Sequence, residues 1–533
     1  MNNDLYAAGI ARGWNLVDAR ETLATTYNPD VIIIGSGAGG ATAAAALAKA
    51  GFRVLILEEG SLKTANDFHN DELKAYAELY QEGALRTSKD GGISILQGRT
   101  VGGTTTVNWT SSFRTPNSTL AYWREQFGIA TAQSEHLKPY FERVEQRLNI
   151  ERWAASPNAN NAVIQRGCEQ LGWHWDVIPR NVQGCWNLGY CGTGCPTNAK
   201  QSMLVTHIPE ALEHGAQLIH SVRVQQLTWA NDQVTGVICQ AMDAHLHHTR
   251  GELMHLQAPL VILAGGAINS PGLLLRSQTP DPHRTTGKRT FLHPVCMNMA
   301  VFDETIDGFY GAPQSIYSDA FNDIPSTAEM GFKIEVAPMQ PSIVSALMGE
   351  FGDQHYQRMQ QLAQSNLMLA LMRDGFHGDD HGGRVELRAN GDAVVDYPLG
   401  EALWNTCKKA FMAMARIQFA AGARSVMPVH ALGKACTSIA AYQAHLETLP
   451  MRIFDVRLSS AHVMGGCGMS ETPEQGVVNL SGQHHQLRNL YVFDGSIFPS
   501  SIGANPQLSI YAWTLKLTEE LIARLGSHDP RAQ

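Results

Sequence analysis

The sequence has no basic tract and a net charge of −9, so nucleic acid is not expected as its main partner. It also lacks an uninterrupted apolar span. A charge-free stretch, 31–48, is broken by four glycines and is rich in alanine, which suits buried structure and not a transmembrane helix. The N-terminus lacks the basic start and apolar core of a secretory signal. A cytoplasmic location is therefore expected, with peripheral attachment to a membrane surface left open. The nine cysteines are odd in number and, without an export signal, read as thiols or ligands and not as a disulfide framework. Internal repeats and low-complexity tracts are absent. A chain of 533 residues with 44% apolar and 17% charged residues is an ordinary globular protein too long for one simple core.

What is present begins with DVIIIGSGAGGATAAAALAKAGFRVLILEE, residues 30–59. An apolar run stops at Gly35, Gly37 and Gly40, continues as an alanine-rich helical segment, and returns as a second apolar run ending at Glu58. This order predicts a dinucleotide-binding βαβ unit. Gly35 would allow the sharp turn, Gly37 would let backbone approach a pyrophosphate, and Gly40 would let helix and strand pack closely. The uncapped first turn of the helix would face the phosphates, and Glu58 would accept hydrogen bonds from a ribose.

A second glycine-rich run, GRTVGGTTTVNWTSSFRTP, spans 98–116 and carries small and hydroxylated side chains until Trp109. Such a run lets backbone lie flat against a planar or phosphorylated ligand. Residues 117–180 read as mainly helical, and GCWNLGYCGTGCPTNAKQS then places Cys185, Cys191 and Cys195 within eleven residues. Short β-rich runs follow from 217 to 263, and LVILAGGAINSPGLLLRS again reads as strand, glycine turn and helix. Between about 300 and 451 lie strands such as GFKIEVAP and GRVEL and an apolar helix, WNTCKKAFMAMARIQFAAGA. The C-terminal part carries SSAHVMGGCGMS, the strand NLYVF leading to Asp494, Asn505-Pro506 and a terminal helix. His484 and His485 read as a solvated polar turn. The leader, 1–29, suggests a short helix and no chemistry.

With these motifs in order, the chain resembles the glucose-methanol-choline (GMC) oxidoreductases. The resemblance rests on the N-terminal glycine motif, GRTVGGTTTVN, GGAINSPGLLLRS, LHP at 292–294, the segment at His462, and DGSIFP followed by Asn505-Pro506. The cysteine-rich segment and GGTTTVNWTS look most like long-chain alcohol oxidases and dehydrogenases. The family implies an α/β fold: a Rossmann-like FAD-binding domain built from both chain ends, with an inserted α+β substrate domain. On this basis the FAD-binding parts are 1–116, 200–299 and 456–533. A cap region with the cysteine-rich loop is 117–199, and the substrate-binding domain is 300–455. One departure is Gln278, where the family usually has glycine.

The family also implies FAD-dependent oxidation of an alcohol, with His462 as base and Asn505 as its partner. A neutral imidazole suits this because its ordinary pKa lies near physiological pH. Gly102, Gly103 and Asn108 would lie against the flavin and pyrophosphate, and Asp494 against the ribityl or phosphate region. No histidine occurs between Gly98 and Pro116, so FAD is expected to be non-covalent. The spacing of Cys185, Cys191 and Cys195 is similar to that of an iron–sulfur cluster in related sugar dehydrogenases; a loop of unligated thiols is the alternative. The expected substrate is a medium- or long-chain primary alcohol, with oxygen, a quinone or a redox protein as electron acceptor. The competing functions are a flavin-containing lyase and a non-catalytic flavin electron-transfer module.

Overall fold

The computed structural model describes residues 4–21, 27–323, 330–376 and 380–526. Residues 1–3 and 22–26 of the leader lie outside the described residues. The chain begins with helix α1 (Leu5–Ala11), strand β1 (Asn15–Asp18), β2 (Val31–Ile34), α2 (Ala38–Lys49), β3 (Val54–Leu57) and α3 (Glu72–Leu79). The elements that matter next are β4 (Gln217–His220), β5 (Leu260–Leu263), α4 (Gly266–Arg276), β6 (Val295–Val301), β7 (Ile316–Phe321) and β8 (Phe332–Val336). After these come α5 (Pro341–Leu347), β9 (Ser365–Met372), α6 (Glu401–Ala420), β10 (Leu490–Val492) and α7 (Gln507–Leu525).

A six-stranded sheet has the order β1-β4-β3-β2-β5-β10, and each neighbouring pair is parallel. Its inner strands VIII, VLIL and LVIL are apolar without alternation because both faces are covered. Most alanines of α2 (Ala41, Ala43, Ala44, Ala45 and Ala48) are buried, so this helix can lie close to the sheet. β10, from the far end of the chain, completes the sheet beside β5. The leader contributes more than the expected helix: β1 pairs with β4 from Asn15↔Gln217 to Asp18↔His220. A four-residue edge strand with only intermediate burial has too little periodicity to be read in advance.

The second body is an eight-stranded sheet with β6, β9, β8 and β7 as consecutive antiparallel neighbours. The boundary expected at residue 299 falls inside β6, which pairs with β9 from Val295↔Leu371 to Val301↔Ser365. β6 therefore belongs to this second sheet; VCMNMAV is buried on both faces and carries no sign of which sheet it joins. Alternation divides β9 between two environments. Met368, Ala370 and Met372 join the core that includes Phe411 and Met414 of α6. Leu367, Leu369 and Leu371 join a separate apolar cluster with Val295, Met297 and Met299.

Two local expectations change. Gln278 takes φ +48° although it is not glycine, so the backbone makes a left-handed turn at the position where the family resemblance implies glycine. His484 is buried and not solvated: its N–H donates to the Leu490 carbonyl (2.9 Å), and its Nδ1 accepts from Gln486 N (3.2 Å). The turn folds back onto β10, which local polarity does not reveal.

Candidate active site

A cavity of about 1030 Å³ is lined by the carboxyl ends of β2, β3 and β5, the second glycine run, one face of the second sheet, and the segments around His462, Asp494 and Asn505. Ligands of parallel α/β sheets bind at such strand ends.

At one end the β2–α2 turn forms the wall. Gly35 has φ +104°, and a Cβ there would overlap the Ala264 carbonyl. A Cβ on Gly40 would overlap the Gly35 carbonyl oxygen, and one on Gly39 the Phe493 carbonyl oxygen. These three glycines are explained by packing. Gly35, Gly37 and Gly39 all line the cavity, but Gly37 is different in that a Cβ there would meet only Gly103 Cα at 3.8 Å. No side chain caps α2, whose N-cap is Gly37, so its first N–H groups are available beside open space. Glu58 is buried in the same wall: Oε2 accepts from Ser36 N (2.9 Å) and Ser36 Oγ (2.6 Å), and Oε1 from Gly60 N (2.8 Å). A carboxylate has about four acceptor positions, so one remains for a ribose hydroxyl. Burial raises the Glu58 pKa, opposed by the bonds from Ser36 and Gly60. An uncapped helix start, an unfilled glycine position and a buried acid with spare acceptor capacity fit a dinucleotide.

Other expected residues hold this wall together. Asp494 Oδ2 accepts from Gly266 N (2.8 Å) and Ser270 Oγ (2.6 Å), tying the start of α4 to the end of β10, and the residue also lines the cavity. Asn108 lines the cavity and donates through Nδ2 to Gln507 Oε1 (2.7 Å). Gly103 lines the cavity, while Gly102 stands behind it at φ +89°, its N–H donating to Ser36 Oγ (3.0 Å). Ser36 thus joins both glycine runs to Glu58.

At the other end His462 and Asn505 come together: Asn505 Nδ2 lies 3.4 Å from His462 Nε2. His462 Nδ1 lies 3.1 Å from Nδ1 of His293. Burial pushes the His462 pKa down to about 4; Glu335 opposes this and Lys333 adds to it. Burial also holds His293 well below its ordinary value, with His462, Lys333 and Arg373 acting in the same direction. Behind Asn505 stands a buried pair on β8: Lys333 Nζ is 3.0 Å from Glu335 Oε1 and 3.3 Å from Asn505 Oδ1, and Glu335 Oε2 accepts from Asn505 Nδ2 at 3.2 Å. The Lys333 ammonium sits 3.0 Å from the Phe113 ring centroid, and burial lowers its pKa to about 8. His293, Lys333 and Glu335 were not anticipated. The last two had a readable signal, since charges at i and i+2 inside an otherwise apolar strand mark one face as polar.

The cysteine-rich loop is not assembled as a cluster site. Among the described residues, no group of three His, Cys, Asp or Glu side chains is placed to hold a metal ion. Cys185 accepts from Asn187 N (3.4 Å), Cys191 from Arg180 (3.7 Å), and Cys195 from Lys200 N (3.5 Å). The loop builds wall instead: Gly192 and Thr193 line the cavity. Lys200 Nζ donates to the carbonyls of Thr106 (2.6 Å), Asn108 (3.0 Å) and Cys191 (2.7 Å), fastening the loop to the second glycine run.

The glycine geometry separates binding from folding. Gly37→Ala is expected to weaken FAD binding about tenfold or more while lowering the stability of the apoprotein by less than about 1 kcal/mol. Gly39→Ala is expected to destabilise the apoprotein by about 1–3 kcal/mol through overpacking. Thermal melts with and without added FAD distinguish the two, and equal melting losses for both apoproteins would contradict the assignment.

A family model described as GMC oxidoreductase matches residues 76–295, a second with the same description matches 379–514, and an FAD binding domain model matches 30–68. Long-chain-alcohol oxidase FAO4B of Arabidopsis thaliana is 28% identical, over 93% of this chain and 67% of that protein. An uncharacterized GMC-type oxidoreductase of Mycobacterium tuberculosis is 30% identical, over 93% of this chain and 76% of that protein. Among solved structures, pyridoxine 4-oxidase from Mesorbium loti superposes with a TM-score of 0.68 at 16% identity, covering 94% of this chain and 100% of that chain. A point-mutant of Aspergillus oryzae formate oxidase superposes with a TM-score of 0.71 at 14% identity, covering 94% of this chain and 99% of that chain. Relatedness across nearly the whole chain, together with a dinucleotide cradle opening into the same cavity as a half-buried histidine, makes this protein a member of the GMC oxidoreductase family and an FAD-dependent oxidoreductase.

Proposed function

We propose that the protein oxidises a primary alcohol with a medium or long aliphatic chain to the aldehyde, using His462 as base and Asn505 as its partner. The observation that carries this is continuity: His462 and Asn505 share one cavity with Val295, Met297, Leu367, Leu369 and Leu371. Sheet register gives the apolar face a direction. Val295 pairs with Ser459, three residues before His462, and with Leu371; Met297 pairs with Leu369 and Met299 with Leu367 further along. Ile343 and Leu347 of α5 pack against the same cluster. Glu72 of α3 holds that helix in place by accepting from Ser342 N (2.8 Å) and Ile343 N (3.2 Å). An alkyl chain laid along this face would have its hydroxyl end at His462. The similarity to long-chain-alcohol oxidases points to the same substrate class.

FAD would be held without a covalent bond by the β2–α2 turn, Glu58, Gly103, Asn108 and the Asp494 segment, with the antiparallel sheet supplying the substrate-binding part. When bound, it supplies the acceptor for the hydride that leaves the alcohol carbon. With the alcohol bound, the Asn505 Nδ2 hydrogen that otherwise points to His462 Nε2 would donate to the alcohol oxygen, leaving Nε2 free to take the hydroxyl proton. Half-buried in the cavity wall and poorly hydrated there, His462 is neutral at physiological pH and can accept.

A pH profile follows from that burial. The base must be unprotonated, so kcat/KM for the alcohol should stay level as pH falls from neutral and decline only as His462 is protonated near about 4. A limb centred near about 6.5, the ordinary histidine value, would contradict it.

The direct test is the visible spectrum of the FAD-loaded protein, recorded anaerobically before and after adding dodecanol. Bleaching of the bound-flavin band supports alcohol oxidation. A band unchanged by every alcohol in a broad panel would overturn it in favour of a lyase or a non-catalytic flavin module.

A further inference from the structure

We infer that His293 is a positioning residue for this reaction: its Nδ1 accepts the Nδ1 proton of His462, which keeps His462 in the tautomer whose Nε2 lone pair faces Asn505 and the cavity. The inference rests on the proposed role of His462 as base.

The two imidazoles face each other through Nδ1 at 3.1 Å, with ring centroids 5.2 Å apart. His293 is buried and His462 is half-buried in the cavity wall; loss of hydration outweighs the opposing Glu335 carboxylate at His462 and holds both rings neutral, so a single proton lies between them. Asn505 decides which ring carries it. Its Oδ1 is turned to Lys333 Nζ (3.3 Å), and one Nδ2 hydrogen goes to Glu335 Oε2 (3.2 Å). The amide therefore cannot rotate without setting Oδ1 against a carboxylate and Nδ2 against an ammonium. The second Nδ2 hydrogen points to His462 Nε2 at 3.4 Å. A proton on Nε2 would face another donor, so Nε2 carries the lone pair and the His462 proton is on Nδ1. His293 Nδ1 must then accept.

His293 carries two costs in making this contact. Its backbone is left-handed, φ +50°, which is unfavourable for a residue other than glycine. Its Nε2, which bears the proton in this tautomer, is buried without a hydrogen-bond partner among the described residues. The strained turn is clamped from behind. Asp374 accepts from the N–H groups of Leu292 (2.9 Å) and His293 (3.1 Å) and from the Tyr397 hydroxyl (2.8 Å), while Ser460 Oγ donates to the Leu292 carbonyl. These contacts aim the ring at His462. A base oriented by a third group is a general arrangement in enzymes; here the orienting group is a neutral imidazole, which fixes the tautomer without stabilising an imidazolium as a carboxylate would.

The test uses FAD-loaded protein labelled with 15N in histidine, in three forms: wild type, His293→Leu and His293→Asn. Asparagine can present an amide oxygen near the place of Nδ1 and tolerates left-handed backbone. His462 signals are assigned by their loss in His462→Ala. In wild type, His462 should show a protonated Nδ1 and an unprotonated Nε2. In His293→Leu that pattern should become mixed or reversed, with kcat down about tenfold to a hundredfold and KM within about twofold. His293→Asn should restore both the nitrogen pattern and most of kcat. A wild-type His462 protonated at Nε2, or a His293→Leu protein with unchanged nitrogen pattern and kcat, would overturn the inference. The nitrogen spectrum is independent of turnover, so it is separate from the base assignment, which fails if His462→Ala reacts with alcohol at the wild-type rate.

Discussion

His462→Ala should keep its FAD and lose about 10²–10⁴-fold in the rate at which an alcohol reduces the bound flavin under anaerobic conditions. The two halves of this expectation have separate grounds. Retention of FAD follows from where His462 is anchored: its polar partners are His293 and Asn505, neither of which belongs to the β2–α2 turn or the Glu58 wall. Loss of rate follows because, among the described residues, the cavity offers no comparable acceptor beside Asn505. Glu335 is the carboxylate on that side, but it is fully buried, does not line the cavity, and is committed to Lys333 and Asn505. Stopped-flow reduction at saturating dodecanol isolates the chemical step from binding and from reoxidation. A rate within about threefold of wild type would remove His462 from the role of base, since general-base catalysis contributes far more than that. A protein purified without flavin would contradict the separation of cofactor and base regions.

The nucleotide half of the molecule was legible because its chemistry is local. Gly35, Gly37, Gly40 and Glu58 sit at spacings set by one strand–turn–helix–strand unit, and the structure gives each glycine a distinct physical reason. The local motif does not mark Gly39, because glycine at that position is explained by Phe493, more than 450 residues away in sequence. Ser36 was passed over for a similar reason: its bonds to Glu58 and Gly102 link segments that no single window contains.

The catalytic half was legible only through motif order. A lone histidine says little, and nothing local distinguishes His462, half-buried in the cavity wall, from His484, which is buried and occupied by a turn. The supporting residues lie on β8 and at the entry to β6, and their relation to His462 depends on strand register. In β8 the sequence FKIEV places Lys333 and Glu335 on the opposite face from Phe332, Ile334 and Val336, the last three belonging to the main core of the second sheet. That two-residue charge spacing was visible; that the polar face meets Asn505 was not. The cysteine spacing misled for the converse reason. Three thiols close in sequence became three separate hydrogen-bond acceptors in a wall-building loop, because Lys200 and the glycine run set the path of the backbone.

The apolar face beyond His462 should act as a ruler. If successive methylenes of the alcohol lie against Val295, Leu371, Met297 and Leu369, each should contribute about 0.8 kcal/mol, or about fourfold in kcat/KM. From hexanol to decanol this amounts to about 250-fold, before diffusion or the end of the cavity limits the gain. Leu369 is the place to interrupt it. The residue is buried, lines the cavity, and faces Met297 across the β6–β9 pairing, two residues further from the hydroxyl end than Leu371. Leu369→Gln sets a polar amide against the chain, and burying it without a partner costs about 1–3 kcal/mol. A short alcohol that does not reach Leu369 is spared that cost. The ratio of kcat/KM for decanol to that for butanol should therefore fall about tenfold or more, as 1.4 kcal/mol corresponds to tenfold. Because both substrates are compared on the same protein, partial loss of folding or of FAD cancels from the ratio. A ratio unchanged by Leu369→Gln, or a wild-type kcat/KM that does not rise with chain length, would mean that the alkyl chain does not lie on this face, and the substrate would have to be sought among compact alcohols held close to His462.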